Sequence, residues 1–118
     1  MLLIFWATWC PDCLEELPDI EKLYKEYQLE KNENIIILGI NTPNRELETD
    51  VKGITSFMKK NNYTFPTLMD EDGKVFESYD IRTYPTTYFI DRNGKISRCI
   101  KEIMHYNDMK KSIENSFN

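Results

Sequence analysis

Two cysteines separated by two residues lie between a short apolar run and a stretch with helical periodicity. The apolar run, Leu2–Ala7, is typical of a strand buried on both faces of a sheet. The helical periodicity begins at Pro11 and continues to about Gln28. Cys10 would therefore lie just before the helix, and Cys13 would return to the same side one turn later. This succession predicts that both thiols lie at the start of a helix that follows a buried strand.

The remaining segments alternate between strand and helix patterns. Further strands are predicted at Asn34–Asn41, Thr86–Asp91 and Lys95–Lys101, and further helices at Leu47–Lys60, Lys74–Tyr79 and Tyr106–Phe117. The Asn93-Gly94 dipeptide favours a tight hairpin between the last two strands. The order of elements predicts an α/β fold, in which helices cover both faces of a mixed sheet. The chain contains no linker or repeat, so residues 1–118 are expected to form a single domain.

Composition excludes several classes of protein. The net charge is −5, with 15 basic and 20 acidic residues, which argues against a nucleic-acid binder. The longest apolar run, Met1–Ala7, is far shorter than the ~20 residues that span a bilayer. It also lacks the basic region and the cleavage site of a signal peptide. Because the chain opens directly on a strand that should be central, the sequence leaves open whether an N-terminal element or a membrane anchor is missing.

The segment Cys10-Pro11-Asp12-Cys13 favours thiol–disulfide chemistry. A cysteine at the N-cap lies over unpaired backbone N–H groups and the positive end of the helix dipole, which both favour the thiolate. Pro11 fits the first helical position, where its missing N–H costs nothing. Because the N-cap position projects outward, Cys10 is expected to be the exposed nucleophile. Cys13 is expected to be the buried thiol that then closes a disulfide with Cys10, so no organic cofactor is expected.

A metal-binding module is the alternative that uses the same two cysteines. Zinc would need two more ligands, and only Cys99 and His105 remain, which form no second paired motif. We therefore expect no metal at the cysteine pair. Cys99 is interpreted as a buried or half-buried thiol that acts as a small hydrophobic residue.

The segment Phe5–Cys13 resembles the active-site segment of thioredoxin-fold oxidoreductases. Pro18 matches the helix proline of that fold, and Pro85 before Thr86–Asp91 matches its cis-proline loop. The segments Phe65–Lys74 and Asp91–Lys95 look like the TlpA/ResA branch, which includes membrane-tethered thiol reductases of cytochrome c maturation. The resemblance implies a three-layer α/β/α fold with a four-stranded mixed sheet whose last two strands form a hairpin. It also implies that Pro85 is cis and lies beside the disulfide.

The resemblance further implies the partners and the location of the protein. The backbone of Tyr84 would pair with an extended segment of a protein substrate. The partners would be a protein with disulfides or thiols and an upstream thiol protein that donates electrons, and the domain itself is expected to be a monomer. The branch implies an extracytoplasmic location, although a cytosolic electron donor similar to tryparedoxin or nucleoredoxin is an alternative, since the chain carries no targeting signal.

Glu16 is the charged residue that falls within the apolar face of the first helix. On a helical wheel it lies between Leu23 and Tyr27, one turn beyond Cys13. Burial there would raise its pKa, and a carboxyl group at this place could take the proton from Cys13. The TlpA/ResA branch carries a glutamate at the same spacing. Ile4 stands where thioredoxin has a buried aspartate, which leaves Glu16 as the candidate acid or base; the alternative is a side chain that extends to water.

The other candidate residues are aromatic or acidic. Trp9 and Tyr84 are expected to form an apolar rim for the substrate, and Pro11 and Pro85 are also predicted to contact it. Trp6 is expected in the core. Residues 1–21 contain five acidic residues and no basic one, namely Asp12, Glu15, Glu16, Asp19 and Glu21. Negative charge opposes thiolate formation, which favours a reductant over a strong oxidant.

Overall fold

The computed structural model describes residues 1–30 and 35–117, whose strands form one sheet around the N-terminal apolar run. The strands are β1 (Leu2–Phe5), β2 (Ile37–Asn41), β3 (Thr67–Met69), β4 (Thr86–Ile90) and β5 (Ile96–Ile100). The helices are α1 (Pro11–Tyr24), α2 (Val51–Lys60), α3 (Lys74–Ser78) and α4 (Tyr106–Phe117), and α1 continues into a π-helical segment, Lys25–Glu30. The predicted α/β fold is confirmed.

The sheet has the strand order β3-β2-β1-β4-β5. Strand β1 is central and pairs parallel with β2 and antiparallel with β4, so Leu2 lies opposite both Ile37 and Phe89. Strand β3 is parallel to β2, and β5 is antiparallel to β4. Gly94, with φ 79°, closes the predicted hairpin between β4 and β5. Because β1 and β2 are parallel, the loops that follow them meet at the same edge of the sheet, where α1 begins.

Helices lie on both faces of the sheet, because β1 is apolar throughout and buries alternate residues on opposite sides. Leu2, Ile4 and Trp6 pack in one cluster with buried side chains of α1, α2 and α4. Leu3 and Phe5 pack in a second cluster with Phe76 of α3. The three layers that the resemblance implied are therefore present, and Trp6 lies in the core as expected.

The sheet has five strands in the described part of the chain, so the expected number of four is wrong. The strand that was not predicted is β3, which has only three residues and follows Pro66. The exposed Leu68 at its centre hides the alternation that would reveal a strand. Hydrogen bonds from Gly39 N–H to Pro66 O (2.8 Å) and from Asp70 N–H to Asn41 O (2.8 Å) frame it.

The boundaries of the other elements differ from the prediction by a few residues. Helix α2 begins at Val51, because Asp50 caps it by accepting a 2.8 Å hydrogen bond from Gly53 N–H. Leu47, predicted as its first apolar residue, is 76% exposed in the preceding loop. The predicted strand start at Asn34 and the side chain of Phe117 lie outside the described residues. Across the described ranges, no helix has the length and apolar character that crossing a membrane requires.

Candidate active site

Cys10 is the N-cap residue of α1, as the sequence predicts. Its backbone is extended (φ −94°, ψ 112°), and Pro11 occupies the first turn of the helix. The Cys13 backbone N–H donates a hydrogen bond to Cys10 Sγ at 3.2 Å, and Leu14 N–H donates to Cys10 O at 3.0 Å. The sulfur thus occupies the place that a serine or aspartate oxygen takes at other helix starts. A thiolate at this position is stabilised by the backbone donor and by the helix dipole.

Both thiols are buried, and the structure shows them unlinked. Cys10 is 5% exposed and Cys13 is fully buried. The prediction that Cys10 projects outward is therefore wrong, because its sulfur folds back over the first turn of α1 to accept from Cys13 N–H. Burial is the main cause that raises the pKa of Cys13, and the neighbouring Cys10 and Glu16 add to the rise.

A cavity of about 470 Å³ gives access to Cys10. Trp9, Pro11 and Tyr84 line it, so three of the predicted substrate residues lie around the sulfur. The rings of Trp9 and Tyr84 meet edge to face, with their centroids 5.4 Å apart. The Tyr84–Pro85 peptide bond is cis, and Pro85 is buried directly after Tyr84. Burial, with a smaller effect of Glu46, raises the pKa of Tyr84 to about 12, so its phenol is neutral at physiological pH.

Glu16 is fully buried on α1, one turn after Cys13. Its Oε2 accepts a 2.8 Å hydrogen bond from Met104 N–H, and its Oε1 is buried without a hydrogen-bond partner among the described residues. The pKa of Glu16 is raised from 4.5 to about 7, and burial is the largest cause. The hydrogen bond from Met104 N–H lowers the pKa, whereas electrostatic repulsion from Asp19 raises it. Glu16 can therefore hold or release a proton near neutral pH, and the interpretation of a side chain that extends to water is wrong.

Cys99 is exposed on β5, which contradicts the expectation of a buried or half-buried thiol. Strand β5 lies at the end of the sheet, and its residues from Ile96 to Cys99 are exposed on both sides. His105 is also exposed, 3.7 Å from an Asp19 carboxylate oxygen through its Nδ1. In residues 1–30 and 35–117, no three His, Cys, Asp or Glu side chains are grouped closely enough to hold a metal ion.

Two contacts near the site could not be predicted from the sequence. The first is the Met104 backbone donor to Glu16, which any residue type could supply. The second is Glu48, which is 8% exposed and bound to Thr8 in the loop before Cys10. Glu48 occurs in a polar stretch, Asn44–Asp50, whose charged residues are expected to be solvated. The one feature of the sequence that could have indicated this contact is the position of Glu48 after the end of β2, the strand next to β1.

The sequence and the fold resemble those of known proteins. The model of the AhpC/TSA family matches residues 1–99. The thiol-disulfide oxidoreductase ResA of Geobacillus thermodenitrificans is 32% identical over 114 residues, which are 97% of this chain and 61% of the relative. The thioredoxin-like protein YneN of Bacillus subtilis is 33% identical over 114 residues, 97% of this chain and 63% of the relative. The chain thus spans about three fifths of the length of these curated relatives.

Solved structures support the same relationship. The pneumococcal exposed lipoprotein thioredoxin Etrx1 of Streptococcus pneumoniae has a TM-score of 0.83 and 30% identity, over 97% of this chain and 82% of that one. StoA of Bacillus subtilis has a TM-score of 0.82 and 28% identity, over 93% of this chain and 78% of that one. The resemblance to the TlpA/ResA branch is thereby confirmed, and the chain belongs to the AhpC/TSA family of thioredoxin-like proteins.

Proposed function

We propose that the protein is a thiol–disulfide oxidoreductase that reduces disulfides in proteins through Cys10 and Cys13. The observation that carries the proposal is the 3.2 Å hydrogen bond from Cys13 N–H to Cys10 Sγ at the start of α1. It stabilises negative charge on the sulfur that lines the cavity, as an attacking thiol requires. The name of the relative ResA, a thiol-disulfide oxidoreductase, supports the same activity.

The reaction proceeds through a mixed disulfide. The Cys10 thiolate attacks one sulfur of the substrate disulfide, and the other substrate sulfur leaves as a thiolate that takes a proton from water. Cys13 then attacks Cys10 Sγ, and the second substrate sulfur leaves. The substrate gains two electrons and two protons, while the protein is left with a disulfide between Cys10 and Cys13. A dithiol protein restores the reduced state, so the cycle uses no organic cofactor.

Glu16 accepts the proton of Cys13 during the second step. The pKa of Cys13 is raised by burial, so its thiol needs a base as it attacks. Residues three positions apart on a helix lie side by side, which places Glu16 next to Cys13. Oε1 of Glu16, which has no hydrogen-bond partner among the described residues, is available for the proton, since Met104 N–H occupies Oε2.

The partners and the location follow from the same relationship. The apolar rim of Trp9 and Tyr84 beside Cys10 suits an extended segment of a protein substrate, which would pair with the backbone at Tyr84. Among the relatives, Etrx1 is named an exposed lipoprotein. We therefore place the reaction outside the cytoplasm, with an anchor or a longer chain holding the domain there.

Trapping of the mixed disulfide tests this function. In a Cys99→Ser background, which removes the exposed third thiol, Cys13→Ala should form a stable mixed disulfide with a protein substrate through Cys10. Cys10→Ala should form none, and the variant with both cysteines of the pair should reduce the substrate completely. Trapping through Cys13 alone would reverse the roles, and no trapping by either variant would refute the activity. Redox equilibration with glutathione then gives the direction, because a reductant should lie near the thioredoxin end of the scale, about −270 mV.

A further inference from the structure

Glu48 connects the loop after β2 to the loop that carries the cysteine pair. Its Oε2 accepts hydrogen bonds from Thr8 N–H at 2.7 Å and from Asn41 Nδ2 at 2.9 Å. Its Oε1 accepts from Thr49 N–H at 2.8 Å and from the Thr8 hydroxyl group. Thr8 therefore donates both its backbone and its side-chain hydrogen to the same carboxylate. We call this arrangement the Glu48–Thr8 clamp.

The clamp requires a carboxylate at position 48. A buried charge is costly unless it is hydrogen-bonded, and the donors to Glu48 given above are all uncharged. An ionised carboxylate has about four acceptor sites on two oxygens, which match these donors. A glutamine has one oxygen and would direct an NH₂ group at two donors. Glu48→Gln thus keeps the shape of the side chain but cannot hold both Thr8 groups and its other donors at once.

The position of Thr8 determines where the site residues lie. Thr8 and Trp9 link Ala7, two residues after the end of β1, to Cys10. The hydrogen bond from Cys10 N–H to Ala7 O across this link is long, at 3.4 Å. The clamp restrains the same link through a shorter hydrogen bond, from Thr8 N–H to Glu48 Oε2 at 2.7 Å. If the clamp is lost, Trp9 can move away from Tyr84, and Cys10 Sγ can move away from the Cys13 N–H group that donates to it.

We propose that Glu48 is a positioning residue, which holds Thr8 so that Cys10 stays at the start of α1 and Trp9 stays at the rim of the cavity. This inference rests on the proposed function, because it assigns a role to Glu48 in the same site. Glu48 itself does not line the cavity around Cys10. Its effect on the chemistry passes through Thr8.

The chain contains a matched control for this proposal. Glu21 on α1 is also buried, and it accepts hydrogen bonds from Thr64 N–H at 2.7 Å and from the Thr64 hydroxyl group at 2.5 Å. It also accepts from Phe65 N–H at 2.9 Å. This Glu21–Thr64 clamp resembles the first in its threonine donors, although the Lys25 ammonium also lies 3.7 Å from Glu21 Oε2, and it holds the loop before β3. Loss of either clamp should destabilise the fold. Only loss of the Glu48–Thr8 clamp should change the pH profile with which Cys10 is alkylated.

The experiment measures the alkylation of Cys10 by iodoacetamide as a function of pH, in the reduced protein with Cys99→Ser. We expect Thr8→Val, which changes no charge, to move the profile to higher pH and to slow alkylation at pH 7 on the order of tenfold, because the sulfur loses a charge-stabilising donor. Glu48→Gln should move the profile in the same direction by less, because it also removes a negative charge that opposes the thiolate. Glu21→Gln and Thr64→Val should leave the profile within about twofold of the parent protein. Thr8→Ser keeps both donors and should restore the parent profile.

Each result tests either the positioning role of Glu48 or the proposed oxidoreductase function. Equal profiles for Thr8→Val and Thr64→Val, at comparable thermal stability, would overturn the positioning role. If Glu48→Gln does not fold, Thr8→Val and Thr8→Ser supply the same comparison through a single hydroxyl group. Alkylation does not require disulfide exchange, so a parent protein that fails to reduce disulfides would refute the proposed function and still report on the Glu48–Thr8 clamp.

Discussion

Met104 N–H donates a 2.8 Å hydrogen bond to Oε2 of Glu16, which lies 88 positions earlier in the chain. The bond joins the loop before α4 to the helix that carries the cysteine pair. A second bond, from the N–H of Tyr106, the first residue of α4, to Asp19 Oδ2 at 3.0 Å, joins the end of this loop to the next turn of α1. The loop thereby contacts Glu16, whose burial is the main cause that raises its pKa to about 7. A segment far from the cysteines in sequence thus contacts this buried carboxyl group.

The first prediction concerns the pH dependence of stability. The pKa of Glu16 is about 7 in the folded protein and about 4.5 in the unfolded chain, so folding favours its protonated form. Its contribution to the free energy of unfolding is complete below pH 4.5 and is lost as the pH rises through 7. As the pH rises from 4.5 to above 7, the free energy of unfolding of Glu16→Gln should therefore increase by about 3 kcal/mol relative to that of the parent protein. Urea denaturation from pH 4 to pH 8 measures the difference.

Glu15→Gln is the matched control for this measurement, because Glu15 is the exposed neighbour on the same helix. Its difference from the parent protein should change little with pH. A Glu16→Gln curve parallel to that of the parent protein at all pH values would show that Glu16 ionises normally in the folded state.

The second prediction separates the two cysteine steps kinetically. When the Cys99→Ser protein reacts with one equivalent of Ellman's reagent, attack by Cys10 releases the first thionitrobenzoate and attack by Cys13 releases the second. Glu16→Gln should leave the first release within about twofold and slow the second on the order of tenfold, below the usual 10²–10⁴ for a general base because water can replace it in part. Its second release should also lose the dependence on a group with a pKa of about 7.

The same experiment on Glu15→Gln tests whether charge alone explains the effect. That variant removes one negative charge near the site but no buried proton acceptor, so both releases should keep the rates of the parent protein. A slow second release in both variants, or in neither, would remove Glu16 from the proton transfer.

The central strand and α1 could be predicted because each has a strong local signal. The run Leu2–Ala7 has no polar residue, and the proline after Cys10 marks the start of α1. Strand β3 could not be predicted, because three residues are too few to show alternation and its pairing with β2 supplies the stabilisation. Leu47 misled the prediction of α2, since the cap at Asp50 and not the apolar spacing decides where that helix begins.

The site was predictable where one segment contains it. The position of Cys10 at the start of α1 and the burial of Glu16 both follow from the periodicity of that helix. The exposure of Cys10 was not predictable, because it depends on a side-chain rotation towards Cys13 N–H. Met104 and Glu48 reach the site from other loops, and contacts between distant segments leave no periodic pattern in a single sequence.

The third prediction tests the packing of α1 beneath the site. Leu17 is fully buried in the cluster with Cys13, whereas Leu14 is 37% exposed on the same helix. Leu17→Ala should lower the free energy of unfolding by about 2–5 kcal/mol, because it leaves a cavity in the core. Leu14→Ala should lower it by less than about 1 kcal/mol. Guanidinium denaturation of the two variants measures both changes, and equal losses would contradict the orientation of α1.

The fourth prediction concerns the aromatic rim of the cavity. Tyr84 contacts Trp9 edge to face at 5.4 Å beside Cys10, so Tyr84→Ala removes one of the two aromatic rings at the rim of the cavity. We expect it to raise the KM for a protein disulfide on the order of tenfold with kcat within about threefold, since a buried aromatic contact contributes to binding and not to bond breaking. Tyr84→Phe keeps the ring and should stay close to the parent protein, because the phenol, whose pKa is about 12, is neutral in either step.

Tyr63 provides the control for this last experiment, because it is another half-buried tyrosine that packs against aromatic rings, with its centroid 5.9 Å from that of Phe65. Tyr63→Ala should lower stability but leave KM unchanged. Reduction of Ellman's reagent, which is too small to span the rim, should proceed at similar rates in the Tyr84→Ala and Tyr63→Ala proteins. If Tyr84→Ala slows that small-molecule reaction as much as the reduction of the protein disulfide, Tyr84 supports the position of Cys10 and does not contact the substrate chain.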